Sequence, residues 1–288
     1  MLQPGPVLSE GTVEDLLADA RIMGRNATQR MIADWQSLGL LDYPTGQGGL
    51  GRGQGSRKAR YSVNQRKLFR ALLEQRSRNT RVGPLTTLPV YLWMYWGDDY
   101  VPLSQAQRAL QTYVKAYENP SQERARQLAG ELASQLEHPA VGETLRTKFR
   151  RLLTDAIASG RPVDAKLATV AQQVFDPDGQ GRVLGPPGAT ITVSTLLENS
   201  MRRHRVVHQI LDGTVNDETL KKARAAAQET MREYMRLRPE FAARAGDVAH
   251  LFQPVSGADL ISQSCSNLIA VLAAQLPDQS ALPASDER

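Results

Sequence analysis

The segment from Thr28 to Leu73 constrains the fold more than any other part of the chain. It begins TQRMIADWQSLGLL, an amphipathic helical pattern that ends at Gly39, a residue suited to a helix C-terminus. Six glycines follow between residues 44 and 56, and then the stretch RKARYSVNQRKLFRALL, in which Ser62 can cap a second amphipathic helix. Helix, glycine-rich basic hairpin and helix, in this order, predict a winged helix-turn-helix.

The charge of the chain is concentrated in the same region. Residues 1–81 hold thirteen Lys and Arg against seven Asp and Glu, a net charge of +6, whereas residues 82–288 hold 22 against 23. From residue 43 to residue 81 there are ten basic residues and one acid, Glu74. Such an uneven distribution indicates a polyanionic partner for one domain only.

Length and composition set outer limits on the class of protein. A chain of 288 residues with 41% hydrophobic residues is long enough for two domains with packed cores. No apolar run approaches the ~18 residues of a membrane span, and the N-terminus MLQPGPVLSEG does not resemble a signal peptide. A single cysteine, Cys265, suits a reducing compartment. We therefore expect a cytoplasmic protein.

The helical pattern continues to the end of the chain, and we expect a mainly α fold. Thr12 and Asp15 form a capping-box pattern for a first helix that runs to about Met23. Gly83 and Pro84 mark a predicted boundary, which gives a disordered leader (1–11), a winged domain (12–81), a helical dimerisation or effector domain (82–277) and a disordered tail (278–288). Within the second domain we predict helices at about 104–118, 121–136, 140–159, 163–175, 192–212, 216–237 and 256–275, with prolines, Pro239 among them, in between.

The N-terminus of the second helix and the hairpin carry the candidate DNA contacts. Side chains at a helix start project past its end, where Arg30 suits guanine and Gln29 suits adenine. Cations on the hairpin can follow a phosphate backbone or enter a minor groove. The alternatives are an ordinary capped surface helix and a solvated loop. The predicted DNA-binding residues are Arg25, Thr28, Gln29, Arg30, Arg52, Arg57, Lys58, Arg60, Tyr61 and Arg66.

Residues 12–76 resemble the MerR family of bacterial transcription regulators. The stretch WQSLGLL is similar to the aromatic-x-x-x-G-L-L ending of that family's recognition helix, and Arg60-Tyr61-Ser62 is similar to its wing return. The resemblance implies that residues 28–30 face DNA and that Arg57, Lys58 and Arg60 are wing contacts. It also implies that Trp35 packs the helix on the wing.

An aromatic cluster follows the predicted domain boundary. Five of the sixteen aromatic residues of the chain lie within ten positions: Tyr91, Trp93, Tyr95, Trp96 and Tyr100. Aromatic side chains bury a large area and also stack on flat ligands. We interpret the cluster as a core or dimer anchor, with a small-molecule effector pocket as the alternative. A homodimer is expected, and the helix at 256–275 is a second candidate for its interface.

Catalytic and metal-binding patterns are weak. His204 and His208 share a helix face with Asp212, but three arginines at 202, 203 and 205 add positive charge that disfavours a metal. Asp176–Gly181 begins like a calcium loop, but Pro187 occupies the position of its bidentate glutamate, so we predict a turn. No Ser-His-Asp, phosphate-loop or HExxH pattern is found. We expect no enzyme, no cofactor and no metal.

The leading hypothesis is a sequence-specific DNA-binding transcription regulator. A DNA-architectural or plasmid or phage maintenance factor, similar to an excisionase, could have the same basic head. A helical enzyme with an accessory DNA-binding domain is an alternative from another class.

Overall fold

A computed structural model describes residues 9–46, 58–78, 81–118, 121–184, 191–246 and 254–276, with the side chain of residue 78 left aside. These residues are predominantly helical, which confirms the mainly α class. The chain forms two compact units, one of Met1–Tyr117 with Arg224–Asn267 and one of Glu118–Ala223 with Leu268–Arg288. The predicted leader lies outside the described residues over 1–8, as does the predicted tail over 278–288.

The helices are numbered in chain order. The first unit contains α1 (Val13–Ile22), α2 (Gln29–Ser37), α3 (Val63–Arg78), α4 (Val82–Leu85), α5 (Thr87–Trp96) and α6 (Leu103–Tyr117). The second unit contains α7 (Gln122–Leu136), α8 (Glu143–Ser159), α9 (Ala165–Phe175) and α10 (Val193–Leu211). Two further helices, α11 (Asp217–Arg244) and α12 (Gly257–Gln275), supply residues to both units. None of the described helices is long and apolar enough to cross a membrane.

The predicted capping box of α1 is present, and Thr28 caps α2. The Asp15 carboxylate accepts hydrogen bonds from the backbone N–H of Thr12 at 2.7 Å and from its hydroxyl at 3.1 Å. The Thr28 hydroxyl accepts from the backbone N–H of Met31 at 3.1 Å. These bonds satisfy amide groups that have no partner inside the helix, so they fix where α1 and α2 begin.

The segment between α2 and α3 returns through extended backbone at Arg60 and Tyr61. Arg60 exchanges two backbone hydrogen bonds with Thr45, at 2.9 and 3.0 Å, and Tyr61 exchanges two with Gly11, at 2.7 and 3.1 Å. Among the described residues, extended segments pair only through isolated antiparallel bridges of this kind. The paired residues form the base of the predicted hairpin, and its tip, residues 47–57, lies outside the described residues.

The C-terminal end of α2 docks on the backbone of α6. Gly39 has a φ of +74°, and a Cβ atom at this position would lie 2.2 Å from the backbone nitrogen of Ala109. No side chain fits at that distance, so glycine is required both for the turn and for the contact. Leu40 and Leu41, the next two residues, have no exposed surface.

Side chains of α6 donate hydrogen bonds to carbonyl groups at the C-terminal end of α2 and just after it. Gln105 donates to the carbonyl of Leu40 at 3.1 Å, and Thr112 donates to that of Leu38 at 3.0 Å. Arg108 donates to the carbonyl of Gln36 at 3.2 Å and pairs with Asp42 at 2.9 Å. The last carbonyls of a helix have no partner inside it, and here another helix supplies the donors.

A buried pair of glutamines extends this contact to α3. The Gln65 amide donates to the Gln105 side-chain oxygen at 2.7 Å and to the carbonyl of Tyr100 at 3.2 Å. Its own oxygen accepts from the backbone N–H of Asp42 at 2.8 Å. Because both amides are buried, each unmade bond would cost free energy, and the network holds α3 and α6 in one register.

These contacts place the end of the first compact unit later than the sequence boundary at Gly83. The segment that contains α4, α5 and α6 packs with the head, and the unit continues to Tyr117 before the chain leaves it. Glycine and proline at 83 and 84 do not separate two units. They lie inside α4, a single helical turn.

The second unit has a core formed by α7 to α10. Three small residues of α7 are fully buried and allow α8 to approach closely: Ala125, Ala129 and Ala133. Phe149 and Leu153 pack in the same core. The Asp176 carboxylate accepts from the backbone N–H groups of residues 180, 181 and 182, at 2.9, 2.8 and 3.2 Å. Residues 176–181 therefore form the predicted turn.

The seven helices predicted after residue 103 are present, with bounds within a few residues except at the end of α11. That helix continues to Arg244 with Pro239 inside it, so the prediction that a helix ends before this proline was wrong. Proline inside a helix removes one backbone donor and crowds the carbonyl of the residue four positions earlier, which disfavours the helix, yet α11 continues past Pro239 for another five residues. The aromatic run at 91–96, which periodicity left unassigned, forms most of α5.

We predict that Gly39→Ala destabilises the protein more than Gly24→Ala, a matched control with a similar φ of +63° but open space around it. Alanine in this conformation costs about 1–2 kcal/mol at either position, and the clash with α6 adds about 1–3 kcal/mol at Gly39. Urea unfolding followed by circular dichroism measures both values. Equal destabilisation of the two variants would contradict the docking described above.

Candidate nucleic-acid interface

The N-terminus of α2 presents an exposed cationic end. Arg25, Thr28, Gln29 and Arg30 are all exposed, as the prediction of DNA contacts requires. The first turn of α2 contains no acidic residue. The helix dipole places partial positive charge at this end, so an arginine here is slightly unfavourable for the isolated helix and strengthens the attraction of this end for an anion.

Arg30 shares a groove of about 420 Å³ with a second arginine, Arg76 of α3. The Arg76 guanidinium lies over the ring of Trp35, 5.8 Å from its centroid, and donates to the sulfur of Met31. Stacking on an indole ring holds a guanidinium in place while it keeps its charge. Asp34 also lines the groove, so one acid lies among these cations.

Trp35 packs against α3, and the packing on the wing that the family resemblance implies stays a prediction, because residues 47–57 lie outside the described residues. Its ring meets Phe69 edge to face, with centroids 5.7 Å apart, and only 3% of the residue is exposed. Trp35 thereby fixes α2 against α3 and supports the stacked Arg76. The hydrophobic effect and the aromatic geometry both favour this arrangement.

Arg76 is the residue of this surface that sequence reasoning missed. It lies in the basic run between residues 43 and 81, but charge alone does not distinguish it from Lys67 or Arg70. The distinguishing feature is its contact with Trp35 and Met31, which are more than forty positions earlier in the chain. A contact of that range leaves no periodic signal in the sequence.

Two of the predicted wing cations, Lys58 and Arg60, lie beside acidic residues of α1. Exposed Lys58 lies 3.5 Å from the carboxylate of Glu14. The pKa of Asp15 is lowered, mainly by the hydrogen bond from the Thr12 backbone, with smaller effects from Arg66 and Arg60. The base of the hairpin thus combines cations with acids. Arg52 and Arg57 lie outside the described residues.

Arg66 has a structural role, so its assignment as a DNA contact is corrected. Its guanidinium donates two hydrogen bonds to the Asp19 carboxylate, both at 2.9 Å, and a third to the backbone carbonyl of Ser9 at 2.8 Å. Arg66 is 9% exposed and Asp19 is 3% exposed. A buried, bidentate pair of this kind joins α3 to α1 and leaves the guanidinium unavailable to phosphate.

Tyr61 is also buried, which corrects its assignment as a DNA contact. Its hydroxyl accepts a hydrogen bond from the Gln36 amide at 2.8 Å. Burial raises the pKa of Tyr61 to about 12, so the phenol stays protonated at neutral pH. The ring therefore helps to join the base of the hairpin to α2.

Trp93, at the centre of the aromatic cluster, belongs to the core of the first unit. It is fully buried, and its indole N–H donates to Asp98 at 2.8 Å. Arg224 of α11 pairs with the same carboxylate at 2.9 Å and lies 4.9 Å from the Trp93 ring centroid. Trp93 therefore holds α5 and α11 together, and its surface is not available to a second subunit.

The other four aromatic residues of the cluster form a partly exposed patch. Tyr91 contacts Tyr95 and Trp96, with centroids 5.0 and 5.3 Å apart, and Trp96 lies 6.4 Å from Tyr100. Trp96 is 50% exposed. Burial raises the pKa of both Tyr91 and Tyr95. The homodimer and the effector role of this patch stay predictions.

The histidine pair of α10 lies in the second unit. His208 is 3.3 Å from the carbonyl of Ile157. Burial lowers the pKa of His204 to about 4, against a smaller opposing effect of Glu118. Across the part of the chain that the structure describes, no three metal-binding side chains come together.

Comparison with protein-family models, with curated proteins and with solved structures found no match for this chain. The likeness of residues 12–76 to MerR regulators therefore stays a prediction. Function is inferred here from geometry and charge alone.

We expect Asp19→Ala to destabilise the protein by about 3–5 kcal/mol, because it leaves the buried guanidinium of Arg66 without its carboxylate. Glu14→Ala is the control, since it removes the acid of an exposed ion pair, and its stability should stay close to that of the wild type. Urea unfolding of both variants provides the measurement. A mild effect of Asp19→Ala would mean that Arg66 finds other partners or reaches solvent.

Acid should weaken the second unit through His204. The unfolded chain takes up a proton near pH 6.5, whereas the folded state does so only near pH 4. Stability should therefore fall as pH decreases from about 6.5 to 4, by about 2–3 kcal/mol from this residue. Urea unfolding at several pH values should show a shallower decline for His204→Gln. Parallel curves for the variant and the wild type would exclude this residue as the cause.

Proposed function

We propose that this protein is a sequence-specific DNA-binding transcription regulator. The observation that carries the proposal is the exposed cationic end of α2, where Arg30 and the stacked Arg76 share one groove. This end lies in the part of the chain that holds its whole positive excess. Among the described residues, no hydrogen bond or ion pair to Arg30 requires an arginine at this position, and the helix dipole disfavours it slightly.

Duplex DNA fits this surface by its chemistry. A helix placed end-on in the major groove brings the side chains of its first turn to base edges, where Arg30 matches guanine and Gln29 matches adenine. The N–H groups of the same turn favour a phosphate oxygen. Arg76 and Arg25 would then lie close enough to the backbone to add charge without reading sequence.

The order of parts supports a winged helix-turn-helix as the binding module. Two helices precede the segment whose ends pair at Thr45 and Arg60, and α3 follows directly. Lys58 and Arg60 would contact the backbone at the base of the wing, with Arg52 and Arg57 further along the hairpin. Because Glu14 and Asp15 lie beside the base, we expect its contribution to affinity to be smaller than the charge count suggests.

The second, helical unit suits a regulatory or dimerisation role. One winged module reads only a few base pairs, and pairing of two copies is the usual route to higher specificity. In the proposed regulator, two copies of the chain would bind two half-sites in the cytoplasm.

The test starts from the full-length protein and a random-sequence DNA library, from which the preferred site is selected. Arg30→Ala should weaken binding to that site by about 1–3 kcal/mol and reduce its preference over random DNA. Arg151→Ala, which removes an exposed arginine of α8 in the other unit, should bind like the wild type. Fluorescence anisotropy gives both affinities.

Salt dependence separates specific docking from adventitious attraction. Wild-type affinity should fall steeply with salt, and Arg30→Ala should lower discrimination at every salt concentration. Salt-insensitive binding, or no binding, would refute the proposal. Tight binding of all sequences alike would favour a DNA-architectural protein instead.

A further inference from the structure

A second cavity, of about 520 Å³, lies in the first unit between α3, α5, α6 and α12. Gln75 of α3, Leu88 of α5, Tyr113 and Tyr117 of α6 and Ile261 of α12 contribute to its wall. The hydroxyl of Ser264 donates to the carbonyl of Thr87 at 2.8 Å and seats α12 on α5. Cavities of this size between helices are typical of small-molecule sites.

The wall is mainly apolar and carries two tyrosine rings. Tyr113 and Tyr117 have centroids 5.0 Å apart and are inclined by 44°. The ring of Tyr117 is held close to Gly83, where a Cβ atom would lie 2.6 Å from it. Because a larger residue at position 83 would displace the ring, the structure keeps a preformed aromatic surface at the cavity. Flat molecules stack well on such surfaces.

One polar group on the wall has no hydrogen-bond partner among the described residues. The side-chain oxygen of Gln75 is buried, and no described residue donates a hydrogen bond to it. Buried acceptors are normally satisfied, and an exception calls for a donor from another source. Rotation about the last side-chain torsion can turn this amide towards the cavity that the residue lines. Glu74 on the same helix adds negative charge, which also favours a donor over an acceptor.

We propose that this cavity binds a flat aromatic molecule that carries an O–H or N–H donor. The rings lie against Tyr113 and Tyr117, and the donor bonds to the Gln75 side-chain oxygen. A molecule of about two or three fused rings fits the volume. This site is separate from the groove at Arg30 and exists whether or not the protein binds DNA.

The first experiment compares two probes of almost the same shape. 2-Naphthol carries a hydroxyl donor, and 2-methylnaphthalene has a methyl group in its place. Saturation-transfer NMR with the full-length protein should show saturable binding of 2-naphthol, at least about fivefold tighter than that of 2-methylnaphthalene. The methyl compound is the more hydrophobic of the two, so nonspecific apolar binding would give the opposite order. That order, or no saturable binding of 2-naphthol, overturns the proposal.

Three variants test where 2-naphthol binds and whether the Gln75 side chain accepts a hydrogen bond from its hydroxyl. Ala258→Trp places a large ring at the cavity from an exposed position and should weaken 2-naphthol at least about tenfold. Ala270→Trp, at an exposed position of the same helix outside the cavity, should leave binding unchanged. Gln75→Leu removes the acceptor and should bring the affinities of the two probes to within about twofold. Equal binding by both tryptophan variants, or an unchanged preference in Gln75→Leu, overturns the proposal.

Discussion

The first unit depends on the contact that holds the C-terminal end of α2 against α6. Three side chains of α6 donate to carbonyls at the C-terminal end of this short helix or just after it, those of Gln36, Leu38 and Leu40. A nine-residue helix has little stability of its own, so its direction is set by this contact and by the packing of Trp35 on Phe69. The position of Arg30 in space, and therefore any recognition by it, follows from interactions at the opposite end of the helix.

This dependence changes what the WQSLGLL segment signifies. The segment suggested a recognition helix because it resembles one, but its tryptophan, its glycine and its last two leucines have a packing explanation. The tryptophan lies on α3, the glycine allows α6 to approach, and the two leucines enter the core. Such a motif constrains how a helix is held and says little about what its other end touches. The exposed residues at that other end carry the functional information.

Local signals in the sequence predicted most helices, because caps and apolar periodicity act within a few residues. Thr12 and Ser62 cap helices where the pattern placed them. Functional assignments were less reliable, because an arginine in a basic run can contact DNA or pair with a buried carboxylate. Arg66 took the second role since Asp19, 47 positions earlier, lies against it in the fold. Arg76 is held in the groove by Trp35, which is also more than forty positions earlier in the chain. Neither of these two contacts produces a local pattern in the sequence.

Cys265 is the only cysteine of the chain, and it is fully buried with a thiol whose pKa is raised by that burial. Since the thiolate is the reactive form, this residue should not react with maleimides and other thiol reagents while the protein stays folded. The native cysteine should therefore not react during site-directed labelling of an introduced cysteine. A cysteine introduced at exposed Gln29 would carry a spin label or dye as a single reporter. Pulsed electron paramagnetic resonance could then measure the spacing of two α2 helices in an assembly without any other engineering.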